Sequence, residues 1–294
     1  MGNSMSECNP GRDSDPQDGV VWRAGSQTWP LGRKALIMGI LNVTPDSFSD
    51  GGRHLDLNDT LAAAHRFLEE GADILDIGGE STRPGAEPVS VDLELSRILP
   101  VIEKLAERHS LGISIDTCKP VVAEAALRAG ANIVNDISGF RDPKMIEVCA
   151  NSDCGVVVMH MQGSPQTMQR NPAYLDVVAE VRDFFAERFQ TLTRAGIESA
   201  RIVFDPGIGF GKTLRHNLAL LRGVQDYLVY NRPILMGLSR KSFIGALLND
   251  LSLGRREAPT QALTALTRRN GAMIHRVHQV KENVGALRMI EAVL

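Results

Sequence analysis

Eight short apolar runs, almost every one carrying a polar residue at or near its end and most followed by a longer amphipathic stretch, recur along this chain and restrict its fold more than any other feature. They are ALIMGILNV (35–43), ILDIGG (74–79), GISIDT (112–117), IVNDIS (133–138), GVVVMH (155–160), RIVFDP (201–206), PILMGLS (233–239) and MIHRVH (273–278). Each is short and mostly apolar on both faces, the pattern of a strand in a parallel sheet that helices cover on both sides. Between them lie helix-like segments such as TLAAAHRFLEEGA (60–72), DLELSRILPVIEKLAE (92–107) and DVVAEVRDFFAERFQTLTRAG (176–196). In the last of these Val178, Phe185, Phe189 and Leu192 recur at helical steps. Eight strand-then-helix units, the last helix being KENVGALRMIEAV (281–293), predict an α/β chain folded as a single (β/α)8 TIM barrel. A doubly wound open sheet is the alternative, because periodicity does not establish closure.

The barrel is expected over 34–294. Residues 1–33 are rich in Ser, Asp, Gly and Pro, bury too little apolar surface to offset their ordering entropy, and are expected to form a flexible N-terminal extension. A formal net charge of −3 gives no electrostatic reason to bind nucleic acid or an anionic membrane. No apolar run approaches the roughly 20 residues that cross a bilayer, and the polar first residues do not resemble a secretion signal. Four cysteines without CxxC spacing fit a reducing cytoplasm.

In such a barrel the active site forms where the C-terminal ends of the strands meet. The runs end there in Asn42, Asp76, Asp116, Asn135 with Asp136, His160, Asp205, Ser239, and Arg276 with His278. A single Asp at a strand end is a cap or turn former. So many polar ends on one rim predict a deep polar pocket, since buried polar groups are costly unless they are used. Arg276 and His278 are two apart on a strand and share a face. A guanidinium beside an imidazole makes a site for phosphate oxygens, the alternative being a structural ion pair. Asp116, Asn135 and Asp205 offer acceptors and one amide, a set that matches a flat heterocycle with an amino-pyrimidine edge. Lys241 meets a ring carbonyl or ring nitrogen, or is solvated.

The stretches LNVTPDSFSDGG (41–52) and GGESTRPGAEP (78–88) are too long for tight turns and read as loops that cover a substrate. DPGIGFGKT (205–213) has Pro206 where a nucleotide phosphate loop needs its first glycine, so no ATP site is expected there. The histidines show no HxxxH or HExxH spacing and do not suggest zinc. A hard ion such as Mg2+ is compatible with Asn42 plus a substrate phosphate.

In chain order, LNVTPDSFSDGG, DIGGESTRPGAEPVS, SIDTCKP, NDISG, MHMQGSPQTMQ, DPGIGFGKT, GLSRKSFIG and RVH resemble the successive signatures of the bacterial dihydropteroate synthase family. The resemblance covers 35–294 and implies condensation of 6-hydroxymethyl-7,8-dihydropterin diphosphate with 4-aminobenzoate, releasing pyrophosphate. It implies Mg2+ as cofactor, a homodimer, and sulfonamides as inhibitors. Carried over residue by residue, it implies that Asp116, Asn135, Asp205 and Lys241 hold the pterin, with Asp76 supporting that pocket. Asn42 would contact Mg2+ and the diphosphate. Thr82, Arg276 and His278 would lie on the phosphates or their loop. Phe48, Pro84, Phe210 and Ser242 would frame the aminobenzoate. Arg83 joins the substrate-binding set, and Asp50 joins Arg276, His278 and Lys241 as the implied catalytic residues. Gln279 stands where the family usually has Asp, and 258–272 lacks the family's small-residue pattern near the usual dimer contact. A pterin-binding methyltransferase and an inactive pterin-binding paralogue remain the alternatives, and the STRPG, SRKS and RVH motifs favour the synthase.

Overall fold

The computed structural model describes residues 19–44, 57–82, 85–107, 111–250 and 252–294. A two-stranded antiparallel hairpin, β1 (Val21–Ala24) and β2 (Gln27–Pro30), precedes an eight-stranded parallel sheet. The sheet's strands are β3 (Leu36–Asn42), β4 (Ile74–Gly78), β5 (Gly112–Asp116), β6 (Ile133–Asp136), β7 (Gly155–Met159), β8 (Ile202–Asp205), β9 (Leu235–Met236) and β10 (Ile274–Val277). Their spatial order is β8-β7-β6-β5-β4-β3-β10-β9. A parallel bridge from Phe204 to Ile234 joins the two ends, so the sheet closes and the open-sheet alternative falls. All eight expected strands are present within the expected runs.

Burial on both faces explains the continuous apolar character of these strands. Every residue of β4, β5 and β7 is buried. The covering helices are α1 (Leu57–Glu69), α2 (Val91–Ala106), α3 (Pro120–Arg128), α4 (Pro143–Ala150), α5 (Val177–Arg194), α6 (Leu214–Arg222), α7 (Ser242–Leu248), α8 (Glu257–Arg269) and α9 (Val280–Glu291). Short polar side chains start several of them. Ser90 accepts from Leu93 N at 3.2 Å, Asp142 from Lys144 N at 2.9 Å, and Asp176 from the amides of Val178 and Ala179. Such caps satisfy backbone donors that a helix start leaves without partners.

The structure shortens the expected N-terminal extension. Residues 1–18 lie outside the described residues, but the stretch from Val21 to Pro30 is the hairpin, and Trp22 is completely buried. The rings of Trp22 and Trp29 lie 5.0 Å apart, and Trp22 Nε1 donates to the Arg201 carbonyl at 3.1 Å. The hairpin covers the N-terminal ends of β5 and β7. A Cβ at Gly155 would lie 2.8 Å from Ala24 Cβ, and one at Gly112 would lie 3.1 Å from the Trp29 ring, so close approach requires glycine at both. The bottom of the barrel is thereby closed, and the opposite end is left for chemistry.

Candidate active site

The C-terminal ends of the strands bring the expected polar residues together around Arg276. Its Nε donates to Asp76 Oδ2 and its Nη2 to Asp116 Oδ2, both at 2.6 Å. Asp76 is fully buried and Asp116 nearly so. Asn135 Nδ2 reaches both Asp76 oxygens at 3.3–3.4 Å. Burial raises the Asp116 carboxyl well above the usual range, while Arg276 pulls it down. For Arg276 burial opposes the charge, but Asp76 and Asp116 outweigh it and hold the guanidinium more firmly protonated than usual. The structural ion pair foreseen as the alternative for Arg276 is therefore present. It does not exhaust the side chain, because a guanidinium carries five N–H donors.

Asp116 Oδ1 is buried and has no hydrogen-bond partner among the described residues. A carboxylate oxygen so placed is costly unless a ligand N–H completes it. Asp205, at the end of β8, accepts from Gly207 N at 2.7 Å through Oδ1, and burial raises its carboxyl as well. Gly207 has φ 66°, and a Cβ there would lie 1.9 Å from the His160 carbonyl, so only glycine completes this turn. Lys241 Nζ sits 4.0 Å from the centre of the Phe210 ring, a cation–π geometry. Burial lowers the Lys241 ammonium to about 8, against the opposing charge of Asp205. Phe210 packs on a separate apolar cluster of Ile137, Met159, Met161 and Met168, which suits a flat ring.

His278 Nδ1 is 2.9 Å from Ser239 Oγ, and its backbone N donates to the same oxygen at 3.2 Å. Ser239 and Lys241 flank Arg240, which holds φ 58°. Left-handed backbone at a non-glycine residue stores strain and persists only where the surroundings impose it. Here Arg240 pairs with Glu257, and its carbonyl accepts from Arg256 Nη1 at 2.9 Å. Thr82 faces a cleft that Asp116 and Thr117 also line. Asn42 ends β3 half-buried, and Ser242 opens α7 in an exposed position. Phe48, Asp50, Arg83 and Pro84 lie outside the described residues.

The family model described as a pterin binding enzyme matches residues 38–278. The dihydropteroate synthase of Escherichia coli K12 is 48% identical over 258 residues, covering 88% of this chain and 91% of that protein. The chain belongs to the dihydropteroate synthase family. Two solved members of that family share its fold. A Yersinia pestis dihydropteroate synthase in a sulfonamide drug complex is 43% identical, with a TM-score of 0.88 over 93% of this chain and 99% of that one. A Burkholderia cenocepacia dihydropteroate synthase complexed with 7,8-dihydropteroate is 44% identical, with a TM-score of 0.85 over 93% and 96%.

Within this dihydropteroate synthase fold, two polar strand ends serve the scaffold. Asp136 accepts from Ser138 N, Ser138 Oγ and Phe140 N and shapes its own turn. His160, whose pKa burial lowers to about 3, lies 3.1 Å from the buried Lys212 ammonium and is neutral. Lys212 was absent from the expected site. It donates to the carbonyls of His160 and Phe210 at 3.1 and 2.9 Å, which ties the glycine-rich loop to β7. That lysine is used up inside the fold, in keeping with the rejection of an ATP site. Lys119 was also missed. Its only sequence signal is its place directly before Pro120 in the SIDTCKP motif.

Proposed function

We infer that this chain condenses 6-hydroxymethyl-7,8-dihydropterin diphosphate with 4-aminobenzoate to give 7,8-dihydropteroate and pyrophosphate. The observation that carries this reading is the convergence of Asp116, Asn135, Asp205 and Lys241 at one end of a barrel shared with a relative that holds 7,8-dihydropteroate. The unpartnered Asp116 oxygen and Asp205 accept the N–H groups of the pterin's amino-pyrimidine edge. Lys241 donates to a ring acceptor, and the apolar cluster beneath Phe210 receives a ring face. Departure of pyrophosphate leaves a carbon cation that the pterin ring delocalises. Donors aimed at the departing oxygens lower that barrier, because they stabilise charge where it develops. Two Arg276 N–H groups serve Asp76 and Asp116, and the others are the donors proposed for an anion. The aniline nitrogen of aminobenzoate is nucleophilic as it stands, so neither a strong general base nor a covalent enzyme intermediate is required.

Mg2+ is part of the proposal. Among the described residues no group of three or more His, Cys, Asp or Glu could hold a metal. This donor set fits an ion that keeps most of its waters, takes substrate phosphate oxygens, and needs one neutral oxygen such as that of Asn42. When bound it would neutralise the leaving diphosphate. A homodimer is proposed through the C-terminal third. Among the described residues, the exposed large apolar side chains there include Leu247, Leu248, Leu253, Leu266, Met289 and Val293. No described helix is long and apolar enough to cross a membrane. Cys118, Cys149 and Cys154 are free thiols, which supports a cytoplasmic setting.

The test is pyrophosphate release from the dihydropterin diphosphate, with and without 4-aminobenzoate, in Mg2+ and after chelation, using Lys241→Ala as control. Release coupled to dihydropteroate formation, lost in the variant, is expected. Pterin binding without turnover would overturn the reading.

A further inference from the structure

The loop between β4 and α2 is pinned at both ends by one ammonium group. Lys119 Nζ donates to Glu80 near the start of the loop, and to the Val89 carbonyl at its end at 2.8 Å. It also donates to Glu94 Oε2 on α2 at 2.6 Å. Glu94 is almost wholly buried, and its other oxygen accepts from Thr117 Oγ1 at 2.8 Å, one residue beyond β5. The Glu80 carboxylate also accepts from Val89 N at 3.4 Å. Arg97 Nη1 adds a bond to the Gly79 carbonyl at 2.6 Å.

Local sequence explains how Lys119 comes to be there. Pro120 occupies the first turn of α3, where its missing N–H costs nothing. It forces the preceding residue out of helical geometry, and Lys119 is extended at φ −101° and ψ 114°. Its backbone N is anchored on Thr117 Oγ1 at 3.2 Å. The side chain is thereby aimed at the loop rather than along the helix. Burial opposes its charge, but its hydrogen bonds to Glu80 and Glu94 outweigh that and raise its pKa.

The clamp adjoins the pocket. Glu80 and Glu94 line the same cleft as Thr82, Asp116 and Thr117. Thr82 lies two residues from Glu80, and Asp116 three residues from Lys119. We propose that Lys119 is a positioning residue for the reaction: by joining Glu80, Val89 and Glu94 it fixes where the loop presents Thr82 to the substrate beside Asp116. The proposal rests on the synthase reading for its kinetic consequence, while the clamp itself is open to a test that needs no turnover.

Glu80→Ala removes the loop arm and leaves the buried Lys119–Glu94–Thr117 group intact, so it is the fold-safe variant, and Lys119→Met removes the hub. In Glu80→Ala, kcat/KM for 4-aminobenzoate should fall at least about tenfold, because a misplacement of ~1 Å in a positioning group can cost about a hundredfold. Calorimetry with 6-hydroxymethylpterin, which lacks the diphosphate, should give an affinity within about twofold of the parent, since the ring is held by other residues. The double variant should be no worse than Lys119→Met, because both act through one clamp. Backbone hydrogen exchange at Ser81, Thr82 and Val89 should quicken in Glu80→Ala. A folded Glu80→Ala with parental kinetics overturns the proposal, as does an equal loss of affinity for the pterin ring. If the parent chain makes no dihydropteroate, the functional reading fails, and exchange alone decides the clamp: unchanged exchange overturns it.

Discussion

Replacing Arg276 by Met keeps much of the aliphatic volume and removes the cation that Asp76 and Asp116 share. Each carboxylate receives a 2.6 Å charge-assisted hydrogen bond from the guanidinium. Such bonds contribute about 1.5–3 kcal/mol each, and breaking a buried pair from one side costs roughly 3–5 kcal/mol. The two routes overlap at a loss of about 3–5 kcal/mol for Arg276→Met near neutral pH. For a chain of this size that corresponds to a melting point lower by roughly 5–8 °C.

The loss should also depend on pH, and its sign follows from Asp116. Burial already raises this carboxyl, and Arg276 is the first force that lowers it. Without the guanidinium its pKa in the folded chain rises further above the unfolded value. Stability from a raised group is fully present at low pH and declines as pH climbs through the folded pKa. The variant should therefore trail the parent by less at about pH 5.5 than at about pH 8. Thermal denaturation of both proteins at the two pH values is the assay. A deficit below about 1 kcal/mol, the range of an exposed ion pair, or one independent of pH would refute the reasoning.

Three shorter predictions follow from the same geometry. Trp22→Ala should cost roughly 3–5 kcal/mol in a denaturant titration, as removal of a fully buried aromatic does, yet leave turnover at room temperature unchanged because the hairpin lies at the far end of the barrel. Lys241 has its ammonium lowered to about 8 by burial, so pterin affinity should decline as pH rises through that value. Lys241→Arg, which stays charged, should remove that decline even if affinity is lower overall. Asp205→Asn should weaken pterin binding more than about tenfold, the scale of a lost charge-assisted hydrogen bond, and unchanged affinity by calorimetry would count against its role.

How much of this was legible beforehand depended on range. The barrel strands could be read because burial on both faces leaves a continuous apolar run with a polar end, a local signal. The hairpin was hidden because Ser, Asp, Gly and Pro are frequent in residues 1–19, and composition averaged over 1–33 hides the two tryptophans that decide burial. Arg276 shows the limit most clearly. Its spacing from His278 was visible and suggested an anion site, but its partners Asp76 and Asp116 lie 200 and 160 residues away and meet it only when the barrel closes. Lys119 and Lys212 were missed for the same reason, since Lys119 is defined by Glu80, Val89 and Glu94 and Lys212 chiefly by His160, each on another unit.

That closure has a consequence for the chemistry. Among the described residues, the carboxyls of Asp76, Asp116 and Asp205 gather at the C-terminal ends of the strands with the cations of Arg276 and Lys241, and Arg276 is already engaged twice. A neutral pterin ring suits this nearly balanced charge, and hydrogen bonding rather than net attraction holds it. A diphosphate suits it less, because Arg276 already serves two of these carboxylates. In the proposed reaction the negative charge that develops on pyrophosphate then falls to other donors, for which Asn42, Thr82 and His278 are the proposed residues. The proposed division gives recognition of the ring to the buried carboxyls and Lys241, and stabilisation of the leaving group to separate residues. It also makes the proposed dependence on Mg2+ and the clamp on the Thr82 loop two parts of one requirement.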